Sequence, residues 1–244
     1  MPITAWDRFG HVGVVCYTGY INRFSRLEEE LSRVGISDYQ TYWDFPSPYK
    51  EALKSKITKT SFVAKNGAFS IAMNHYRAIA TAYHLGKSSV LVMEDDICFL
   101  KDLKVLQEVI YDLPDDFDIA MLDHNKPSAM PVREYVGQFD KSRKISRHWH
   151  SFDCLTSSGC YALSRRGMES ILSKMEMPAK GQAKLFHNDY YLRRSVAGTS
   201  LNLYAANPTP AMQIEYENRH CRKMWLYYAI HEEIGIRKDM FSGF

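Results

Sequence analysis

Ser89-Val90-Leu91-Val92-Met93-Glu94-Asp95-Asp96 runs from a short apolar stretch straight into three carboxylates. The apolar part shows no polar alternation, the pattern of a strand covered on both faces in a parallel sheet. Upstream, residues 67–85 place Phe69, Ala72, Met73, Tyr76, Ala80 and Tyr83 at helical spacing, and Gly86 ends that helix. Residues 11–17 are a second short apolar run, rich in valine. A helix over 22–34 follows, with Phe24, Leu27, Leu31 and Val34 on one stripe and Gly35 at its C-cap. Residues 39–43 read as the next strand. Strand, helix and strand in about 35 residues make a βαβ unit.

Downstream of the triplet, residues 103–113 read as a helix broken by Pro114-Asp115-Asp116. Residues 117–122 form a fourth strand ending at Asp123. From 126 to 150 the periodicity dissolves around Pro127, Pro131 and Gly137 into the basic, aromatic run 141–150, a long loop by this reading. Residues 158–163 resume as a strand, and Ser164 is placed to cap a helix over 165–175. A short element at 188–192, a strand near 201–205 and an amphipathic stretch near 225–234 complete the chain. No internal repeat or Gly/Ser linker divides it, so one α/β domain is expected.

The 244 residues are 45% apolar and include 12 Phe, 16 Tyr and 4 Trp, which supports a real core and excludes disorder as the main state. Thirty-one basic against 28 acidic residues give a net charge of only +3, with none of the basic excess of a nucleic-acid binder. No stretch approaches the roughly 18 apolar residues of a membrane span. Met1 to Arg8 show no basic segment followed by an apolar one, so no secretory leader is expected. Cys16, Cys98, Cys154, Cys160 and Cys221 are scattered without a CxxC pair. They read as reduced thiols, Cys16 and Cys98 buried, in a cytoplasmic protein.

In open α/β sheets ligands bind beyond the carboxyl ends of the strands, where Glu94, Asp95 and Asp96 fall. Three adjacent carboxylates repel one another unless a cation or hydrogen-bond donors offset them. Hard oxygen ligands suit Mg²⁺ or Mn²⁺ shared with substrate phosphates. Glu94 and Asp96 alternate by two, so an extended backbone aims both to one side. The alternative is a solvated acidic turn. The pattern alone does not choose among nucleotide-sugar, phosphatase and nuclease chemistry.

Several segments in order resemble glycosyltransferase family 25, which holds the lipooligosaccharide-biosynthesis (lipopolysaccharide) glycosyltransferases and the collagen galactosyltransferases. They are Gly67-Ala68-Phe69-Ser70-Ile71-Ala72-Met73-Asn74-His75-Tyr76-Arg77, the strand ending in Glu94-Asp95-Asp96, and Ser158-Gly159-Cys160-Tyr161-Ala162-Leu163-Ser164-Arg165-Arg166-Gly167. Asn188-Asp189-Tyr190-Tyr191-Leu192 and the closing Pro208, Pro210 and Gln213 add to them, as do Arg23 and Arg26 after the opening strand. The similarity spans residues 11–213; Asn74 stands where the family usually has Ser before the His. The resemblance implies a GT-A fold, a Rossmann-like, mostly parallel sheet flanked by helices. It implies one domain over residues 1–244, with a nucleotide-sugar half to about 125 and an acceptor half beyond. The implied reaction is inverting, metal-dependent transfer of a hexose, galactose or glucose, from a UDP-sugar to a glycan or glycoconjugate hydroxyl.

In that frame the resemblance puts Asp96 on a Mn²⁺ or Mg²⁺ ion and Glu94 on the donor ribose, with Asp95 a second metal candidate. Inversion needs a general base for the acceptor hydroxyl. Asp189 is favoured, with Asp123 and the weaker Asp153 as rivals; Asp189 otherwise caps a helix. Arg23, Arg26, His75 and Arg77 are candidate donor-binding residues. His75 otherwise reads as a core histidine, and the arginines as ordinary helix charges. His187 or His220 is the candidate imidazole ligand of the metal. The run 141–150 is either a solvated loop or a lid with Trp149 stacked on a sugar. Together, acid at residues 94–96 and base at 141–147 suggest a metal and a diphosphate held side by side. Arg219, Arg222 and Lys223 near Trp225 suit an anionic membrane surface. The competing readings are a catalytically inactive glycan- or partner-binding relative, and a metal-dependent phosphohydrolase.

Overall fold

Val90 and Val92 point to one side of their strand and Leu91 and Met93 to the other, and all four are buried. A strand with no wet face needs a covering layer on each side. The computed structural model describes residues 4–17, 21–43, 68–123, 142–151, 158–175, 200–214 and 240. After a 3-10 turn at Ala5–Arg8 come β1 (Val12–Val15), α1 (Ile21–Val34), β2 (Gln40–Tyr42), α2 (Ala68–His84), β3 (Ser89–Glu94) and β4 (Ile97–Phe99). These are followed by α3 (Leu103–Tyr111), β5 (Ile119–Met121), β6 (Arg143–Lys144), β7 (Trp149–Ser151), β8 (Cys160–Ser164), α4 (Arg165–Met175), β9 (Leu203–Ala206) and β10 (Ala211–Gln213).

Among the described residues eight strands form one mixed sheet in the order β2-β1-β3-β8-β5-β9-β7-β6, and β10 and β4 form a separate two-stranded ribbon. β1 pairs in parallel with β2 and β3, and β5 with β9. β8 runs antiparallel between β3 and β5, and β7 antiparallel to β9. The two apolar clusters match the two faces. Leu27, Leu31 and Val34 of α1 and Leu106, Val109 and Ile110 of α3 cover Leu91 and Met93. Ala78, Ile79 and Ala82 of α2 and Met168 and Ile171 of α4 cover Val90 and Val92. This is the α/β architecture the periodicity predicts, with β8 and β7 reversed within it. Among the described residues no helix is long and apolar enough to cross a membrane.

Local signals explain the helix ends. Gly35 and Gly86 hold φ of +85° and +71°, the left-handed conformation in which glycine stops a helix without strain. Ser164 Oγ accepts from the Gly167 N–H at 3.1 Å, the expected cap of α4. Cys16, Cys98 and Cys160 are buried thiols.

The run 141–150 needs correcting. From Ser142 onward it is described, and it carries the antiparallel pair β6–β7 at the sheet edge. Trp149 is fully buried, and its indole N–H donates to the Val109 carbonyl at 2.8 Å, so it stacks on no sugar. The paired layout of acid and base fails on distance. β6 lies five strands from β3, roughly 24 Å at ordinary strand spacing, so the exposed Arg143 and Lys144 share no diphosphate with residues 94–96.

The start of α4 packs closely on the strand beside it. A Cβ at Gly167 would fall on the backbone oxygen of Asp118, which cannot move as a side-chain tip can. Gly167→Ala is expected to cost about 1–3 kcal/mol. For a chain of this size that lowers the melting temperature by roughly 2–4 °C per kcal/mol, readable in a thermal melt.

Candidate active site

The parallel strands β1 and β3, with β5, end at one edge of the sheet, and the reversed β8 begins there. That edge therefore gathers Cys16 and Tyr17 after β1, Glu94 to Asp96 after β3, Asp123 after β5, and Ser158 and Gly159 before β8. The β4–β10 ribbon lies across it. Gln213 pairs in register with Ile97, and the Ile214 N–H donates to the Asp96 carbonyl at 2.7 Å.

Glu94 ends β3 with its carboxylate held from three directions. Ser158 Oγ donates to Oε1 at 3.2 Å, Gln213 Nε2 donates to Oε2 at 3.0 Å, and His75 Nε2 lies 3.3 Å from Oε1. Gln213 Nε2 also lies 3.4 Å from Asp96 Oδ1. Glu94 and Asp96 thus meet at the Gln213 amide, through a turn at residues 95–96 and not through the extended backbone their spacing assumes. Asp95 accepts from the Tyr17 N–H at 2.9 Å. Arg23, from α1, sits 3.4 Å from Asp96 and 3.9 Å from Asp95.

Asp95, Asp96 and Asp123 are all buried. Burial pushes Asp96 well above the usual carboxylate range, Glu94 adds to the rise, and Arg23 opposes it. Burial likewise pushes Asp95 up to about 6, against the Tyr17 N–H and Arg23. Asp123 raises both Asp96 and the Cys160 thiol, itself lifted chiefly by burial. Arg23 is an ion-pair partner of two of these carboxylates and offsets part of their repulsion.

Gly159 is what lets these groups meet. A Cβ there would overlap Asp123 Oδ2 and lie 2.7 Å from Gln213 Cγ and 2.8 Å from Cδ. Its carbonyl accepts from the Glu94 N–H at 2.8 Å, tying β8 to the end of β3.

The other expected residues distribute as follows. His75 is fully buried on α2 with Nδ1 3.0 Å from the Tyr161 hydroxyl, so it reaches the site through Glu94. Arg77 donates to the Trp43 carbonyl at 3.0 Å and to Asn74 Oδ1 at 3.1 Å, on the β2 side. Arg26 sits on α1 near Cys98, lowering a thiol pKa that burial raises. Asp189, His187, Asp153, His220, Arg219, Arg222 and Lys223 lie outside the described residues. Sequence reasoning gave no role to Ser158, Gly159 or Tyr17, and named Gln213 only as part of a resembling segment. A cavity of about 380 Å³ lined by Asp7, His11, Ser37, Asp38 and Lys87 opens at the opposite edge, by the start of β1, and contains none of these carboxylates.

Among the described residues no three His, Cys, Asp or Glu side chains are grouped to hold a metal ion. Glu94 and Asp96 offer hard oxygens of the kind Mg²⁺ and Mn²⁺ take as part of a larger ligand set.

No protein-family model matches the chain, and no curated protein matches it. Solved structures similar to it include a glycosyltransferase involved in the glycosylation of the major capsid of PBCV-1, with a TM-score of 0.44 and 10% identity over 93% of this chain and 100% of that one. The glycosyltransferase GlyE of Streptococcus pneumoniae scores 0.42 at 11% identity, over 92% of this chain and 63% of that one. Mouse xyloside xylosyltransferase 1 scores 0.41 at 10% identity, over 78% and 83%. These neighbours are glycosyltransferases, and at such scores the chemistry of this chain rests on its own residues.

Proposed function

We propose that the chain is a nucleotide-sugar-dependent glycosyltransferase of the GT-A type, moving galactose or glucose from a UDP-sugar to a glycan or glycoconjugate hydroxyl with inversion. The observation that carries this reading is the cluster of half-buried Glu94 with buried Asp96 and Asp123 where β3 and β5 end, the edge at which open α/β sheets bind nucleotides. The resemblance to family 25 supports the same choice over phosphatase and nuclease chemistry.

Asp96, with Asp95 or His187, would hold Mn²⁺ or Mg²⁺. Such an ion acts as a Lewis acid on the departing diphosphate. Arg23 stands beside the same carboxylates and adds positive charge on the diphosphate side. Glu94, held by Ser158 and Gln213, is oriented before any ligand arrives and is assigned to the ribose. Asp123 is fully buried, so its carboxylate shapes the charge of the pocket. We assign proton removal from the acceptor hydroxyl to Asp189, on the resemblance alone.

A thermal-shift panel of UDP-galactose, UDP-glucose, UDP-N-acetylglucosamine and GDP-mannose, each with and without Mn²⁺, tests the reading. A UDP-hexose is expected to stabilise the protein, and more strongly with Mn²⁺. At one hundred times its dissociation constant a ligand adds about 2.7 kcal/mol. Stabilisation by none of the four would overturn the proposal.

A further inference from the structure

We propose that Gln213 is a positioning residue that clamps the Glu94 and Asp96 carboxylates into one fixed pair for donor binding. The inference rests on the glycosyltransferase reading and names a part of that same site. A glutamine amide carries two N–H donors on one nitrogen. Here that nitrogen lies 3.0 Å from Glu94 Oε2 and 3.4 Å from Asp96 Oδ1, one donor for each carboxylate.

The residue type suits the task. Two carboxylates this close repel each other and swing apart unless something spans them. A lysine or arginine in this place would neutralise the charge that a cation or a ribose hydroxyl is drawn to. A glutamate would add a third repelling group. The neutral amide holds both carboxylates and leaves their charge in place.

The backbone fixes Gln213 from beneath. β10 pairs with β4 so that Gln213 lies opposite Ile97, next to the acidic turn, and Ile214 bonds the backbone of Asp96 itself. The stem of the side chain rests on Gly159, where a Cβ would come within 2.7 Å of Cγ. Glu94 is already oriented on its other oxygen by Ser158 and His75. Gln213 extends that order to Asp96.

The test is a double-mutant cycle on the full chain, read as the dissociation constant of UDP with MnCl₂ by calorimetry, with a thermal melt beside it. Gln213→Met keeps length and volume and removes both donors. It is expected to weaken UDP·Mn²⁺ binding about tenfold while the melting temperature stays near wild type. In a Glu94→Gln background the same change is expected to cost less than about twofold, because the partner it orients has lost its charge. Gln213→Asn keeps the amide on a stem one methylene shorter and is expected to lose affinity to a similar degree, since it cannot span both groups. Equal losses in the two backgrounds, or wild-type affinity in Gln213→Met or Gln213→Asn, would overturn the clamp. A wild-type protein that binds no UDP with Mn²⁺ would overturn the glycosyltransferase reading, and the clamp with it.

Discussion

Asp96→Asn is expected to lower kcat/KM for sugar transfer by on the order of a thousandfold, the scale of losing a main electrostatic contact in the transition state. The change is nearly isosteric, but Arg23 and Gln213 donate to different oxygens of Asp96, so an amide there loses the charge and one of the two acceptors. Asp96 is buried beside Glu94, Asp95 and Asp123, each of which pushes its pKa up after burial itself. Removing one negative charge from that set relieves repulsion. The metal-free variant is therefore expected to melt at or above the wild-type temperature, the stability–activity trade-off of a functional site. Steady-state kinetics and calorimetry check the two halves. Transfer within tenfold of wild type would contradict the role given to Asp96.

Gly159→Ala is expected to damage transfer by a different route. Its Cβ would collide with Asp123 and with the stem of Gln213, both fixed by strands packed around them. Either the carboxylate and the amide move apart, or β8 shifts and strains the hydrogen bond from Glu94 to the Gly159 carbonyl. We expect transfer to fall more than about a hundredfold, as small misplacements of catalytic groups do. Stability is expected to fall by about 1–3 kcal/mol, the ordinary cost of overpacking. Gly167→Ala, equally crowded but remote from the carboxylates, is expected to lose stability and keep its specific activity, which separates collision at the site from collision in the core.

The parts of the fold that were legible from the residues are those with long or unbroken apolar patterns. β3, β1, α1 and α2 each bury a face wide enough to leave a periodic mark, and their bounds fall within a residue or two of those expected. β4 and β10 are not among the strands expected from the sequence: they pair only with each other, in a ribbon outside the main sheet that neither segment announces alone. β6 was missed for another reason: an exposed Arg-Lys pair at a sheet edge reads as a solvated loop. Trp149 fits neither the solvated loop nor the sugar-stacking lid: its burial against α3 makes it core.

The site divides in the same way. Glu94, Asp96 and Asp123 could be named because each lies at or within two residues of the end of a strand, a property local to the sequence. Ser158, Gly159 and Gln213 enter only because β8 runs antiparallel between β3 and β5 and because β10 folds back on β4. Pairings between segments up to 119 positions apart leave no trace in either segment alone. His75 shows the limit of reading a residue singly: it is both a core histidine and a contact of Glu94.

The most direct test of the central claim is release of UDP from UDP-galactose and UDP-glucose by the purified full chain, with Mn²⁺, after its removal by a chelator, and after its restoration. UDP is expected to form with at least one donor, to stop with the chelator, and to resume when Mn²⁺ returns. No release from either donor in the presence of Mn²⁺ would contradict the account.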